Sequence, residues 1–450
     1  MILRRGVLAL LITLAALPAA AFEPPAAAES PARPSGAAVA SANAQATDAG
    51  LRVLAEGGNA YDAAVAVSAT LGLVEPESSG LGGGGFFLIQ TADGKRVFVD
   101  ARETAPLAAT RDMFLDESGQ PRPRLSIDGP LAAGIPGMPA GLVHVAERYG
   151  RLPLAKSLAP AIELAEQGWR FGSKNAAMLG WRKDIIKANR EAARLFLVRG
   201  EIPAEGTRMV NRDYARTLRL LAERGHAGFY EGAFARRLAD GVRKAGGLWT
   251  AEDLARYRVV EREPLVFSHR GWEIVTAPPP SSGGIALKQI FHVLDGYDYP
   301  AMSRVGRVHL LTEAMRRAYR DRAVYLGDPD FVDVPVDVIG SPLYAAGLRA
   351  TISLERATPS ELLPGVTKSA ESEDTTHFSI VDAEGNLVAV TQTVNLPYGN
   401  AMVVPGTGFL LNNEMDDFSV KPGVPNAFGL VGEDANKIEP GKRPLSSMTP

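Results

Sequence analysis

The sequence predicts a layered α/β fold in which sheets pack inside helices. Three observations predict it: a strand hairpin over 86–100, a mainly helical middle over 141–358, and a second strand pair over 376–394. Composition agrees with a globular chain, at 46% hydrophobic, 22% charged and 7% aromatic, which rules out collagen-like or long disordered readings. The 450 residues admit two or three domains or one large layered one. No strand–helix alternation is long enough for a dinucleotide-binding unit.

The chain opens with Arg4 and Arg5, an apolar run over 6–17, and Ala19-Ala20-Ala21 before Phe22. That order predicts a signal peptide over 1–21, since the apolar run is shorter than the ~20 residues a spanning helix needs. Residues 22–36 are rich in Pro and Ala and read as a linker. The mature protein is therefore expected to be soluble and exported, to the periplasm or outside the cell, with no membrane attachment afterwards.

Helices are expected over 46–56 and 60–73, broken at Gly57-Gly58, with Ala63, Ala64, Val67, Thr70 and Leu71 forming a buried stripe. Strands over 86–90 and 96–100 follow, joined by the Asp93-Gly94 turn. In the middle, 309–319 reads as an amphipathic helix with Leu311, Ala314, Met315 and Ala318 on one face. Pro278 to Gly284 reads as an extended loop before another helix. From 358 to 374 the chain turns polar, and then strands over 376–381 and 387–394 flank a turn over 382–386.

Several chemistries are excluded by residue type. A chain without cysteine has no disulfide, thiolate metal site or Cys nucleophile. A formal charge of −3, with no basic block, gives no footprint for nucleic acid. Glycines 82–85 lead into a strand without a following Lys, so they read as a tight backbone crossing and not as a phosphate cradle. The six histidines show no metal-ligand spacing and read as structural. There is no Gly-x-Ser-x-Gly elbow. Neither a metal nor a cofactor is expected.

What remains is Asp374-Thr375-Thr376-His377-Phe378-Ser379, where an acidic loop meets a strand. By itself a Thr there is ordinary strand composition. If the Asp374–Thr375 bond is cut, Thr375 acquires a free α-amine, with a pKa near ~8, beside its own hydroxyl. Base and nucleophile then share one residue.

Several ordered blocks extend this point over most of the chain. They are Gly57-Gly58-Asn59-Ala60-Tyr61-Asp62-Ala63-Ala64, Ser79-Gly80-Leu81-Gly82-Gly83-Gly84-Gly85-Phe86, Asp100-Ala101-Arg102-Glu103-Thr104-Ala105-Pro106, Gly134-Ile135-Pro136-Gly137 and Pro279-Pro280-Ser281-Ser282-Gly283-Gly284. The most diagnostic are Thr375-Thr376-His377-Phe378-Ser379, Leu411-Asn412-Asn413-Glu414-Met415-Asp416-Asp417-Phe418 and Lys442-Arg443-Pro444-Leu445-Ser446-Ser447-Met448. In these blocks, from about Ala40 to the last residue, the sequence resembles the γ-glutamyltranspeptidases.

The resemblance implies an N-terminal-nucleophile hydrolase fold, an αββα sandwich of two sheets between helical layers. It implies a precursor that cuts itself between Asp374 and Thr375 into a large subunit (37–374) and a small one (375 onward), which stay associated. It further implies that Thr375 takes a γ-glutamyl group from glutathione or another γ-glutamyl amide and passes it to water, an amino acid or a short peptide. By the same resemblance Arg102 clamps the substrate α-carboxylate, assisted by Ser446 and Ser447. Asp417 holds the α-ammonium with Asn395 and Glu414, and Thr393 orients Thr375. Read without the resemblance, Arg102 is a surface partner of Glu103 or Asp100, and Asp417 is part of a solvated turn.

Two departures from the family pattern stand out. Phe428 occupies a lid position where a Tyr is frequent, so a hydrogen bond from the lid to Asn395 is expected to be lost. The chain also stops at Pro450, before the family's oxyanion-hole glycines, and so is expected to be an incomplete copy without those donors. Two alternatives remain open at this stage: an acylase for glutaryl-type β-lactam side chains, and a non-processing γ-glutamyl-binding remnant. A carboxylate at 417 argues against the first, because glutaryl groups lack the ammonium.

Overall fold

The computed structural model describes residues 36–363 and 375–450. The expected signal peptide, nearly all of the linker, and Asp374 lie outside the described residues.

The central sheet has six strands: β1 (Ala38–Ala40), β2 (Gly84–Gln90), β3 (Arg96–Ala101), β4 (Val260–Arg262), β5 (Thr376–Val381) and β6 (Leu387–Thr393). Their order is β1-β5-β6-β2-β3-β4, with every neighbour antiparallel. The two predicted hairpins are thus joined edge to edge, with Thr393 opposite Gly84 and Thr391 opposite Phe86. Period-two alternation sorts the side chains. Phe87, Ile89, Val97, Val99, Val388 and Val390 enter the main core, whereas Phe86, Leu88 and Phe98 pack with Ala277 and Met448 in a separate cluster.

The main core is roofed by α1 (Ala44–Ala55), α2 (Ala60–Val74), α3 (Met138–Tyr149) and α4 (Leu154–Gln167), with α2 touching all three others. The α2 start is a capping box: Asn59 Oδ1 accepts from the Tyr61 and Asp62 amides, and Asp62 Oδ2 accepts from the Asn59 amide. The expected stripe along α2 is wrong in extent, because every residue of α2 is buried. A helix of Ala and Val is slim enough to be packed on all sides, and such a helix carries no polar face.

Two further departures come from the middle of the chain. The predicted helix is there, as Arg304–Tyr325, but its core face holds Leu310, Ala314 and Ala318 against Ile290, Val293 and Ala345. Leu311 is only half-buried, and Met315 is 42% exposed. The middle also holds a hairpin, Leu265–His269 with Trp272–Thr276, turning at Arg270 and Gly271, both at positive φ. Its outer residues Val266 and Trp272 are exposed, so the polar–apolar alternation that marks a strand is missing.

The glycine run is a backbone crossing, as its sequence suggests. A Cβ on Gly82 would sit 1.8 Å from the Leu410 carbonyl oxygen, and one on Gly83 would sit 1.9 Å from that of Thr393. Both obstacles are backbone and cannot swing aside. Gly83→Ala is therefore expected to destabilise by about 3 kcal/mol or more, at the upper end for overpacking, with loss of cooperative melting in calorimetry as the check.

Glu77, ahead of that run, is buried. Its Oε2 accepts from Asn175 Nδ2 at 2.7 Å, and its Oε1 has no hydrogen-bond partner among the described residues. Burial pushes the carboxyl from 4.5 up to about 7. The folded state then binds this proton more tightly than the unfolded state, so its stabilising contribution is full below 4.5 and is lost as pH rises to about 7. Glu77→Gln stays neutral throughout. Its stability relative to the parent is expected to rise by on the order of 3 kcal/mol between pH ~5 and ~8. A difference in melting temperature that stays constant over that range would show that Glu77 is ionised in the fold.

Candidate active site

Thr375 immediately precedes β5, and Thr393 ends the neighbouring β6. Because Gln392 pairs with Thr376, antiparallel register brings Thr393 beside Thr375. Their hydroxyl oxygens are 3.4 Å apart. Thr393 Oγ1 also accepts the Asn395 amide at 2.9 Å, which fixes its rotamer. Asn395 itself adopts φ 76°, a left-handed conformation that Asn tolerates, and its side chain donates to the Asn413 carbonyl at 2.9 Å.

Thr375 and Thr393 open onto a cavity of about 780 Å³. Arg102, Asn395, Glu414 and Asp417 line the same cavity, as do Ser446 and Ser447. All eight residues that the resemblance singles out are therefore brought together, and Phe428 joins them.

Arg102 follows β3 and is completely buried, so the surface-pair reading fails. Its guanidinium bonds Glu414, donates to Asp417 Oδ2 at 2.6 Å, and donates through Nε to the Pro444 carbonyl at 3.1 Å. Asp417 is likewise not a solvated turn residue, with only 11% of its side chain exposed. Burial pushes the Glu414 carboxyl well above the usual range, although Arg102 opposes the shift. The expected carboxylate clamp and the expected ammonium partner thus bond each other. Such an adjacent cation and anion is the complement of a zwitterionic α-amino acid head.

Asn412 holds this arrangement and was missed as a site residue. Its Nδ2 donates to the Gly82 and Gly134 carbonyls at 2.7 and 2.8 Å, while its Oδ1 accepts the Gly134 and Glu414 amides at 2.9 Å. A fully buried amide saturated in this way fixes the turn Glu414–Asp417.

The loop from Pro278 to Gly284 also has a structural task. Ser446 donates its amide to the Pro280 carbonyl, and its own carbonyl accepts from the Ser282 amide, both at 2.8 Å. Ser446 Oγ accepts the Met448 amide at 3.0 Å, which leaves its hydroxyl hydrogen to donate elsewhere. The segment carrying Phe428 is tied to the charged pair: Asn426 donates to Asp417 Oδ1 at 3.2 Å, and its Oδ1 accepts the Phe428 and Leu430 amides. His377 stands in the cavity wall, bonded to Thr391 and Ser379, and partial burial lowers its pKa.

The sequence profile of the family described as Gamma-glutamyltranspeptidase matches residues 46–450. The chain belongs to that family. It is 44% identical over 416 residues to the glutathione hydrolase proenzyme of Escherichia coli K12, covering 92% of this chain and 72% of that one. Among solved structures, the γ-glutamyltranspeptidase of Helicobacter pylori is 41% identical, with a TM-score of 0.70 over 72% of this chain and 94% of that one. The cephalosporin acylase of Bacillus halodurans is 29% identical, with a TM-score of 0.81 over 95% of this chain and 77% of that one. This γ-glutamyltranspeptidase-family chain therefore has the N-terminal-nucleophile hydrolase fold and is an enzyme of the hydrolase and transferase kind.

Proposed function

We propose that the protein hydrolyses and transfers γ-glutamyl groups of glutathione and related amides, using Thr375 as a self-generated N-terminal nucleophile. The observation that carries this reading is one cavity holding both the Thr375 hydroxyl and the Arg102–Asp417 pair. In the precursor, Thr375 Oγ attacks the Asp374 carbonyl carbon, the peptide C–N bond breaks, and water hydrolyses the resulting ester. The products are an Asp374 carboxylate and a free Thr375 amine.

That amine takes the hydroxyl proton as Oγ attacks the γ-carbonyl of the donor, and returns it to the departing amine. The γ-glutamyl ester is then resolved by water, giving glutamate, or by an acceptor amine, giving a new γ-glutamyl amide. In this scheme Arg102, Ser446 and Ser447 bind the α-carboxylate. Asp417, Asn395 and Glu414 hold the ammonium, and Thr393 orients the nucleophile. The reading includes export after removal of residues 1–21, and large and small subunits that remain together. Among the described residues, no helix is long and apolar enough to cross a membrane.

N-terminal sequencing tests the scheme directly: a fragment beginning Thr-Thr-His-Phe, together with glutamate release from glutathione, is expected. One unprocessed band without turnover would instead identify a γ-glutamyl-binding remnant. The likeness to the cephalosporin acylase favours a second reading, a glutaryl acylase. Asp417 weighs against it, because a glutaryl group offers that carboxylate no cation.

A further inference from the structure

The cavity has a wall that the glutamyl head does not use. Along Arg304–Tyr325, residues 305, 308, 312, 315 and 319 recur at alternating steps of three and four, which is one continuous helix face. Thr312, Met315 and Tyr319 line the cavity, and so does Arg316. Val305 and Val308 prolong the face outward and are 79% and 59% exposed. The apolar track therefore runs from solvent into the chamber that holds Thr375.

Arg316 gives this wall a surplus charge. Glu313 lies between two arginines, with Oε2 2.6 Å from Arg317 Nη1 and Oε1 2.7 Å from Arg316 Nη1. Arg317 is buried and engaged by Glu313 and by Thr351 and Thr358. One carboxylate thus serves two guanidiniums. Among the described residues, the other hydrogen bonds of Arg316 go to neutral acceptors, the Thr358 carbonyl at 2.7 Å and Ser360 Oγ at 3.3 Å. Among the described residues lining the cavity, Arg102 and Arg316 are the arginines, and there is no lysine. Arg102 is buried against Glu414 and Asp417.

The amine half of a γ-glutamyl amide lies on the other side of the reacting carbonyl from the head that Arg102 reads. If that half is an amino acid or dipeptide, it ends in a carboxylate that needs a separate cation. We propose that the Met315–Tyr319 face and Arg316 form the subsite for this half, selecting acceptors and leaving groups that combine an apolar side chain with a free carboxylate. The inference rests on the γ-glutamyl-transfer reading and names the acceptor class for it.

The test compares two acceptors on one acyl-enzyme, formed from γ-glutamyl-p-nitroanilide: methionylglycine and its C-terminal amide. Arg316→Gln is expected to lower the ratio of their kcat/KM values, acid over amide, about tenfold, the loss of one charge-assisted contact. Arg316→Lys should keep most of the ratio. Met315→Glu, at an exposed position that tolerates a polar side chain, should lower it by like-charge repulsion. Because both acceptors meet the same intermediate, general damage to the fold divides out. Ratios unchanged in both Arg316→Gln and Met315→Glu would overturn the subsite. A parent protein that releases no p-nitroaniline would instead overturn the γ-glutamyl reading, and the subsite with it.

Discussion

Thr375→Ala is expected to remain a single polypeptide and to lose γ-glutamyl hydrolysis by at least ~10⁴-fold, the scale seen when a catalytic nucleophile is deleted. Both losses have one cause in the proposed scheme, since the same hydroxyl opens the Asp374–Thr375 bond and later takes the acyl group. The fold itself should survive. Thr375 is exposed, precedes β5, and among the described residues makes one long side-chain hydrogen bond, to Thr393 at 3.4 Å. Substitutions of that kind usually change stability by less than ~0.5 kcal/mol. A cooperative melting transition, with an intact chain on a denaturing gel, is the expected pair of results. Thr375→Ser keeps an oxygen nucleophile and should still be cut, more slowly, because it lacks the β-methyl that restricts χ1. Cleavage at the same bond in Thr375→Ala would mean that another group opens the chain.

Much of this site was legible in the sequence because its residues sit in short ordered blocks. Arg102, Thr375, Asp417 and Ser446 each stand within such a block, and the structure gathers them around one cavity. Local periodicity likewise located both hairpins of the sheet. It failed where one pattern serves two purposes. Met315 repeats at helical spacing with Ala314 and Ala318, yet it faces the cavity while those two face the core. An apolar residue beside a substrate wall and one beside a neighbouring helix have the same hydropathy, so periodicity cannot separate them. Asn412 was missed for a different reason. Its work is to satisfy the Gly82 carbonyl, 330 positions away, and no local pattern encodes that partner. The Arg102–Asp417 bond spans 315 positions and was invisible for the same reason.

That bond frames the second large effect. Asp417→Asn is expected to lower kcat/KM for γ-glutamyl substrates roughly ten- to a hundredfold, the loss of one charge-assisted hydrogen bond of about 1.5–3 kcal/mol to the substrate ammonium. Stability should fall much less. The amide oxygen can still accept from Arg102 Nη2, and the buried guanidinium keeps its bonds to Glu414 and to the Pro444 carbonyl. The charge removed is also the one that repels an acyl group lacking an ammonium. A glutaryl substrate presents the same α-carboxylate to Arg102 without the cation that offsets Asp417, so its turnover relative to the γ-glutamyl substrate should rise. Measuring both anilides on parent and variant separates the two readings of this fold. Equal losses on both would show that Asp417 does not read the α-amine, and that the preference for γ-glutamyl groups is set elsewhere in the cavity.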